Sequence, residues 1–371
     1  MDTLKIGMPA TLSGKYATQG IESFKGITLW IKSVVQKKGI RLKSKILIPE
    51  LIYYDNKSNT AKTGEITKKL IEKDEVDILL GPYSSSLTLE SLIVSEKYER
   101  VLWNYGGSSD DIHNYGYDKV ISTITEASNY FKEIINLINS IENESKEIAL
   151  LKVKSSNFSS NVAQGSVIFS KEKGINLDVF DFNSGEKNFS EILNEINQNN
   201  IKYILCVGSA QDDINFCNYL IKNNNKFKIV ATLAAAINEF KNELRNECEN
   251  FISTSQWEPE LNISINTGPD LNKFIREFKN EYGYLPDYPS AQAYNMGIVI
   301  EYLISECDDT NENVLLKKAK SSSFSTFYGK FKLDKSGKQI GHEMLVIQWQ
   351  NGRKKIIFPK KYANSKLIIK K

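Results

Sequence analysis

The chain has 371 residues, 41% hydrophobic and 25% charged. That is the balance of a folded chain long enough for two domains, and it excludes a disordered one. Forty-eight basic residues against 45 acidic leave a net charge of +3, too even for a dedicated nucleic-acid or membrane-surface binder.

No apolar run approaches the roughly 20 residues of a membrane-spanning helix. Met1, Asp2 and Thr3 lead straight into Leu4-Lys5-Ile6-Gly7-Met8, which reads as a first strand. No signal peptide precedes it, so the chain is either cytosolic or has had a targeting segment cut away.

Strand and helix alternate along most of the sequence. Residues 4–10, 46–55, 76–81 and 100–105 read as strands, being short and rich in Ile, Leu, Val and Tyr. Between them, 20–37, 56–72 and 87–97 read as helices. The first carries Phe24, Ile27, Ile31 and Val35 at the spacing of one apolar face. Asp55 and Ser58 are candidate N-caps of the second.

A second alternating set follows. Its strands fit 147–153, 175–180, 201–208, 228–231 and 250–253. Its helices fit 126–141, 160–172, 190–198, 212–222 and 237–247, and two longer helical patterns cover 269–282 and 290–307. The tail changes character. Segments 330–333, 344–350 and 354–358 alternate apolar and polar residues, with turn signals at 334–337 and at Asn351-Gly352, so this end reads as β-hairpin.

Such alternation argues for the α/β class, with parallel sheets covered by helices on both faces. Two sets argue for two doubly wound lobes. Ligands of such sheets bind beyond the carboxyl ends of the strands, so the informative residues lie in the loops just after them.

After the third strand comes Gly81-Pro82-Tyr83-Ser84-Ser85-Ser86, directly before a helical pattern. A helix N-terminus offers unpaired N–H groups and a partial positive charge, and the three hydroxyls complete a site suited to a small anion. The plain alternative is an N-cap with solvated serines. After the fourth strand comes Trp103-Asn104-Tyr105-Gly106-Gly107-Ser108. Paired glycines let the backbone approach a bound molecule. Trp103 reads as core, while Tyr105, Gly107 and Ser108 read as ligand contacts.

The four cysteines, Cys206, Cys217, Cys248 and Cys307, show no metal-ligand spacing, and Cys206 reads as a small core residue. The two histidines, His113 and His342, read as surface-loop residues. Ser13-Gly14-Lys15 lacks the spacing of a phosphate loop, and no GxGxxG follows a strand. No carboxylate pair has a matching nucleophile and base. The expectation is therefore a non-enzymatic protein without catalytic residues, metal or cofactor.

Several segments together resemble the type I periplasmic solute-binding proteins of ABC importers, the leucine/isoleucine/valine-binding and amide-binding group. They are the first loop Leu12-Ser13-Gly14 through Gly20, Tyr54-Asp55-Asn56, the loop 81–86, the stretch 287–294, and the tail 328–337 with Val346-Ile347-Gln348-Trp349. The resemblance runs from about residue 4 to 359.

It implies two lobes joined by three crossings near 122–125, 254–257 and 324–328, with an interlobe cleft. The N-terminal lobe would be 1–122 plus 256–327, and the C-terminal lobe 123–255 plus 328–371. It implies ligand contacts from Tyr16 and Gln19 in the first loop and from Tyr83, Ser84, Ser85, Ser86, Gly107 and Ser108. An aromatic lid at Phe158 and contacts at Ser209, Ala210 and Leu233 would come from the second lobe. Trp257, at the second crossing, would either stack on a ligand or pack in the hinge.

One departure bears on the ligand. Amino-acid binders of this group carry an acidic residue after a second-lobe strand for the ammonium, where this chain reads Thr232-Leu233-Ala234-Ala235-Ala236. A buried ammonium without an anion is strongly unfavourable. Asp212, Asp213 and Glu258 are the neighbouring carboxylates that could replace it. The alternative reading of these acids is helix-start carboxylates facing solvent. The expectation is a small carboxylate, amide or amino-acid-like ligand with an apolar or aromatic body.

The resemblance further implies docking on a membrane permease, a monomer or weak dimer, and a periplasmic or membrane-associated extracellular location. A ligand-sensing regulator or receptor of the same fold, cytoplasmic in the sensor case, is the competing reading.

Overall fold

Every long apolar segment of the sequence becomes a strand or one buried face of a helix in the computed structural model, which describes residues 1–141, 146–224 and 227–369. The chain divides into two units, 1–126 with 263–343 and 127–262 with 344–371. It passes from one to the other after Glu126, Asn262 and Glu343.

The first pass through unit one gives β1 (Asp2–Ala10), α1 (Ala17–Gln36), β2 (Ile40–Arg41), β3 (Ile46–Asp55), α2 (Thr60–Glu72), β4 (Ile78–Leu80), α3 (Ser85–Lys97), β5 (Leu102–Asn104), α4 (Asp111–Asn114) and β6 (Val120–Ser122). Unit two follows with α5 (Lys132–Asn139), β7 (Glu147–Val153), α6 (Asn157–Glu172), β8 (Asn176–Phe182), α7 (Ser190–Gln198), β9 (Tyr203–Val207), α8 (Ala210–Lys222), β10 (Ile229–Thr232), α9 (Asn238–Leu244) and β11 (Ile252–Ser255). The chain then returns to unit one as α10 (Leu271–Tyr282), α11 (Tyr288–Cys307), α12 (Glu312–Ser321), β12 (Ser323–Thr326) and β13 (Gly329–Lys332), and ends in unit two as β14 (Leu345–Gln350) and β15 (Arg353–Phe358).

The sheet of unit one has the order β2-β3-β1-β4-β5-β6, all parallel except the edge strand β2. That of unit two runs β15-β14-β11-β10-β9-β7-β8, with only β14 and β15 antiparallel. In each sheet the first strand lies inside, with β2 and β3 or with β8 on one side of it, and the later strands move outward on the other. The order reverses beside β1 in one unit and beside β7 in the other. Connections leave on opposite faces at such a point and open a crevice at the strand C-termini.

Burial follows the pleat. On β7, Ala149, Leu151 and Val153 enter one core while Ile148 and Leu150 enter the other. Strand β9 is buried along its whole length, as expected where helices cover both faces. In unit one, α11 is buried on nearly all sides and lies against α1. Two glycines allow that approach. A Cβ on Gly26 would run into the Ser290 carbonyl, and one on Gly297 into the Trp30 ring.

Some elements differ from the sequence reading. The helix expected over 126–141 is a short 3-10 turn followed by α5, and that expected over 237–247 ends as α9 at Leu244 before another 3-10 turn. The tail contains two hairpins. Strand β13 pairs with β12 in unit one, whereas β14 and β15 pair across Asn351-Gly352, both at positive φ. Segment 328–343 thus stays with unit one, contrary to the expected boundary at 327, and the third crossing falls after Glu343. The physical reason is local: Ser122 N donates to Gly337 O at 3.0 Å and His342 meets Thr125 at 2.8 Å.

Candidate functional site

In unit one, the loops after β1, β3, β4 and β5 leave the same sheet edge, and their side chains knit them together. Asp55, at the end of β3, accepts from Leu12 N at 3.0 Å, from Ser13 Oγ at 2.6 Å and from Lys57 N. Burial alone would raise its carboxyl, but these bonds outweigh it and hold Asp55 below the ordinary carboxylate range. Ser58 donates to Ser13 O and accepts from Tyr16 N. Neither Asp55 nor Ser58 caps α2. Asn59 does, accepting from Lys62 N at 2.9 Å, because the other two oxygens are engaged by the first loop.

Across the reversal point, Thr11 Oγ1 donates to Tyr83 O at 3.4 Å, and the Tyr83 and Tyr288 hydroxyls meet at 2.7 Å. Ser85, the first residue of α3, accepts from Ser108 N at 3.2 Å and Ser109 N at 3.0 Å. Asn104 accepts from Gly106 N and from Gly107 N at 2.9 Å, and donates to Gly107 O and Ser122 Oγ. Gly107 has no room for a Cβ, which would meet Thr88 Cβ at 2.5 Å. The amides of 107–109 are therefore saturated from within.

One group at this edge is different. Ser84 has φ 106° and ψ 151°, a region that only glycine adopts easily, at a cost of about 1–3 kcal/mol for other residues. It is 9% exposed, and its hydroxyl has no hydrogen-bond partner among the described residues. It sits at the N-cap of the 13-residue helix α3 without capping it through its side chain. A strained backbone thus holds an unspent buried hydroxyl beside a helix N-terminus.

The remaining sequence candidates of unit one divide by exposure. Ser86 is exposed, and Tyr16, Gln19 and Tyr83 are half-buried. Ser108 is 8% exposed. Tyr105 and Trp103 are wholly buried. The Tyr105 hydroxyl has no partner, and burial pushes its pKa well up, so it stays neutral.

In unit two, the reversal point lies between the loops after β7 and β9. Ser156 caps α6 by accepting from Ser159 N at 3.1 Å. Phe158 stands half-buried in the first turn, its ring edge-on to Tyr130 at 5.5 Å. Ser209 caps α8 in a reciprocal box with Asp212. Ala210 opens that helix, and Leu233 is half-buried in the 3-10 turn after β10. Thr232, just before it, is fully buried and its hydroxyl has no partner among the described residues. Trp257 is fully buried.

The three carboxylates considered for an ammonium are engaged inside this unit. Asp212 accepts from Gly185 N at 2.7 Å and from Ser184 and Ser209. Burial raises it, but those bonds prevail and hold it low. Asp213 accepts from Gly208 N at 2.8 Å and Ala234 N at 2.9 Å, tying the loops after β9 and β10 together. Burial pushes it up to about 7 against the pull of those amides. Glu258 pairs with Lys354 at 3.2 Å, and its side chain is 4% exposed. Among the described residues, no group of three His, Cys, Asp or Glu side chains could hold a metal ion, and no helix is long and apolar enough to cross a membrane.

A family model for periplasmic binding proteins matches residues 3–354. The chain belongs to that family. A relative, Leu/Ile/Val-binding protein homolog 7 of Brucella abortus, is 21% identical over 98% of this chain and 93% of its own length.

Two solved members of the fold are similar throughout. The leucine-binding protein LivK of Thermotoga maritima has a TM-score of 0.80 at 16% identity, covering 96% of this chain and 97% of its own. A solute-binding protein of an ABC transporter from R. palustris, solved with benzoate, has a TM-score of 0.76 at 18% identity, covering 95% and 94%. The family accounts for the two doubly wound units and for the loops at both reversal points.

Sequence reasoning missed several residues that build these edges. Asn104 fixes both amides of the glycine pair, and its signal was its place just before Tyr-Gly-Gly. Asp213 reads from sequence as a candidate ammonium partner or a solvent-facing helix-start acid, and nothing there marks its burial or its bonds to the loops after β9 and β10. His342 is 8% exposed and meets Thr125, and His113 meets Ser122 at 2.9 Å. Neither histidine lies free in a surface loop.

Proposed function

We propose that this chain is the extracytoplasmic solute-binding component of an ABC importer and that its two units close by a hinge about a small carboxylate or amide with an apolar or aromatic body. The observation that carries the reading is Ser84. A strained serine with a buried, unspent hydroxyl at a helix N-terminus is what an anionic oxygen would pair with, and it stands at the reversal point of a sheet in a chain of this family. Ser108, Tyr83 and Tyr16 would complete the first-unit side. Phe158, Ser209 and Leu233 would cover the ligand body. The permease would read the surface of the closed form, and ligand contacts from both units would hold that form.

The engaged state of Asp212, Asp213 and Glu258 favours a ligand without an ammonium group. The benzoate complex of the R. palustris protein supports an aromatic acid as one such ligand.

A thermal-shift and calorimetric panel of benzoate, 4-hydroxybenzoate, aliphatic amides, leucine and isoleucine tests the reading. A ligand present at 100 times its Kd stabilises the folded state by about 2.7 kcal/mol. The expected result is a shift with an amine-free acid or amide that Ser84→Ala weakens about tenfold. Tight binding of several free amino acids would overturn the ammonium argument. Unchanged affinity in Ser84→Ala would overturn the site.

A further inference from the structure

The residues just before two of the chain's passages between units are bound to one another within unit one. From the first come Ser122, Thr123, Thr125 and Glu126, following β6. From the third comes segment 334–343, following β13. Ser122 N donates to Gly337 O, Gln339 reaches Thr123 O at 3.5 Å, and His342 Nδ1 meets Thr125 Oγ1. Lys338 Nζ lies 3.2 Å from Glu126 Oε2. Gly337 is held against β6 at φ +87°, where a Cβ would overlap the Val120 carbonyl. The 334–338 turn is organised by Asp334, which accepts from Ser336 and from Lys338 N. This strap therefore runs alongside the first crossing.

Glu126 is the weak point of that strap. It is the last residue of unit one before the first crossing. Its side chain is 8% exposed, and its second oxygen, Oε1, is buried without a partner among the described residues. The charged groups that face it are Asp110 from the loop after β5, and Lys338 and Asp334 from the turn. His342 contacts the neighbouring Thr125, and His113, from α4, contacts Ser122. One lysine is thus set against two acids and a dry environment.

We propose that Glu126 is a proton-operated latch: protonated, it lets segment 334–343 pack on the first crossing, and ionised, it loosens that packing.

Burial, reinforced by Asp110 and only partly offset by Lys338, pushes Glu126 up to about 7. A carboxyl raised in the packed state stabilises packing below its ordinary value, near 4.5, and loses that contribution as pH rises to about 7. Over that window the packing equilibrium weakens by at most about two orders of magnitude, the limit reached if release of the segment returns Glu126 to its ordinary value. His113 does not supply the effect. Burial lowers it to about 4, so it is neutral across most of the window. The latch needs no ligand, so it stands apart from the proposed transport role and fails separately from it.

Hydrogen–deuterium exchange of peptides covering 120–127 and 334–343 in the ligand-free full-length chain tests it, with rates corrected for intrinsic pH dependence. The expected result is protection that falls between pH 5 and pH 8 in the wild type and stays level in Glu126→Gln. Lys338→Met, which removes the one compensating cation, should move the midpoint upward while leaving Glu126 in place. A carboxyl titration of Glu126 by carbon-13 NMR reads the same midpoint directly and does not depend on the glutamine variant folding. Level protection in the wild type would overturn the proposal. So would a Glu126→Gln variant that keeps the wild-type slope, or a midpoint unmoved in Lys338→Met.

Discussion

Replacing Ser84 by glycine should make the protein more stable and a poorer binder. The backbone at φ 106° and ψ 151° suits glycine and strains serine by about 1–3 kcal/mol. The hydroxyl, buried and unpartnered, adds a desolvation cost of about 1–3 kcal/mol that the substitution removes. Against these, glycine costs about 0.5–1 kcal/mol in the extra freedom of the unfolded chain. The balance is a stabilisation of about 1–5 kcal/mol. In a unit of this size that moves Tm up by roughly 2–4 °C per kcal/mol. Urea denaturation of both proteins, with m compared to confirm an unchanged mechanism, gives the first number. Titration with the ligand found in the panel gives the second, a loss of about tenfold. A residue that costs stability and contributes affinity is what a binding site retains. If Ser84→Gly is neutral or destabilising, the strain is absent and the argument for the site loses its main support. If it is stabilising with affinity unchanged, the strain is real and the hydroxyl does not meet the ligand.

Further outcomes follow from the same geometry. Ser85→Ala should cost about 1–2 kcal/mol by leaving the amides of Ser108 and Ser109 without their acceptor, whereas Ser86→Ala, at an exposed position, should stay within about 0.5 kcal/mol; paired urea curves separate them. In unit two, Asp213 is pushed up to about 7, so the stability it contributes is present below about pH 4 and lost as pH rises through 7. Asp213→Asn should flatten that part of a Tm-against-pH curve. It should also lose about 1–3 kcal/mol, because its amide nitrogen would face a backbone N–H. Gly297→Ala should destabilise by about 1–3 kcal/mol, since its methyl group meets the Trp30 ring. The expected sign is opposite to that of helix propensity, and a stabilised variant on chemical denaturation would show that α1 and α11 separate freely.

The fold was largely legible because its signals are local. The three-and-four spacing in 20–37 marks α1, and the short Ile/Leu/Val runs at 4–10 and 147–153 mark β1 and β7. Asn351-Gly352 marks the turn of β14 and β15. What escaped was short or decided at a distance. Three-residue β6 carries too few residues to show a period. Helix α12 was not distinguished at all. The sequence of β13 reads as a strand, but nothing in it says that it pairs with β12 rather than with β14. That choice is made by Gly337 and His342, which bind the following segment to β6 and the first crossing.

The site was legible in position but less so in role. The carboxyl ends of the third and fourth strands drew attention to 81–86 and 103–108, which the structure links through Ser85 and Asn104. The sequence could not tell which polar atoms satisfy the protein's own backbone and which remain unspent. Three adjacent serines have one chemistry and three fates. Ser85 serves two amides, Ser86 faces water, and Ser84 is buried with its hydroxyl unpaired.

The same accounting bears on the ligand. In unit two, Asp212 and Asp213 accept from backbone amides and serine hydroxyls, and one oxygen of Glu258 pairs with Lys354. Drawing Asp213 away to meet a ligand cation would leave the amides of Gly208 and Ala234 buried without acceptors, at about 1–3 kcal/mol each. That cost would cancel much of what a charge-assisted contact returns. Among the described residues, the hydroxyls of Ser84, Tyr105, Ser159 and Thr232 stay without a partner at these edges, and all are neutral. Neutral hydroxyls can orient a carboxylate or amide beside a helix N-terminus, but they cannot balance a buried ammonium.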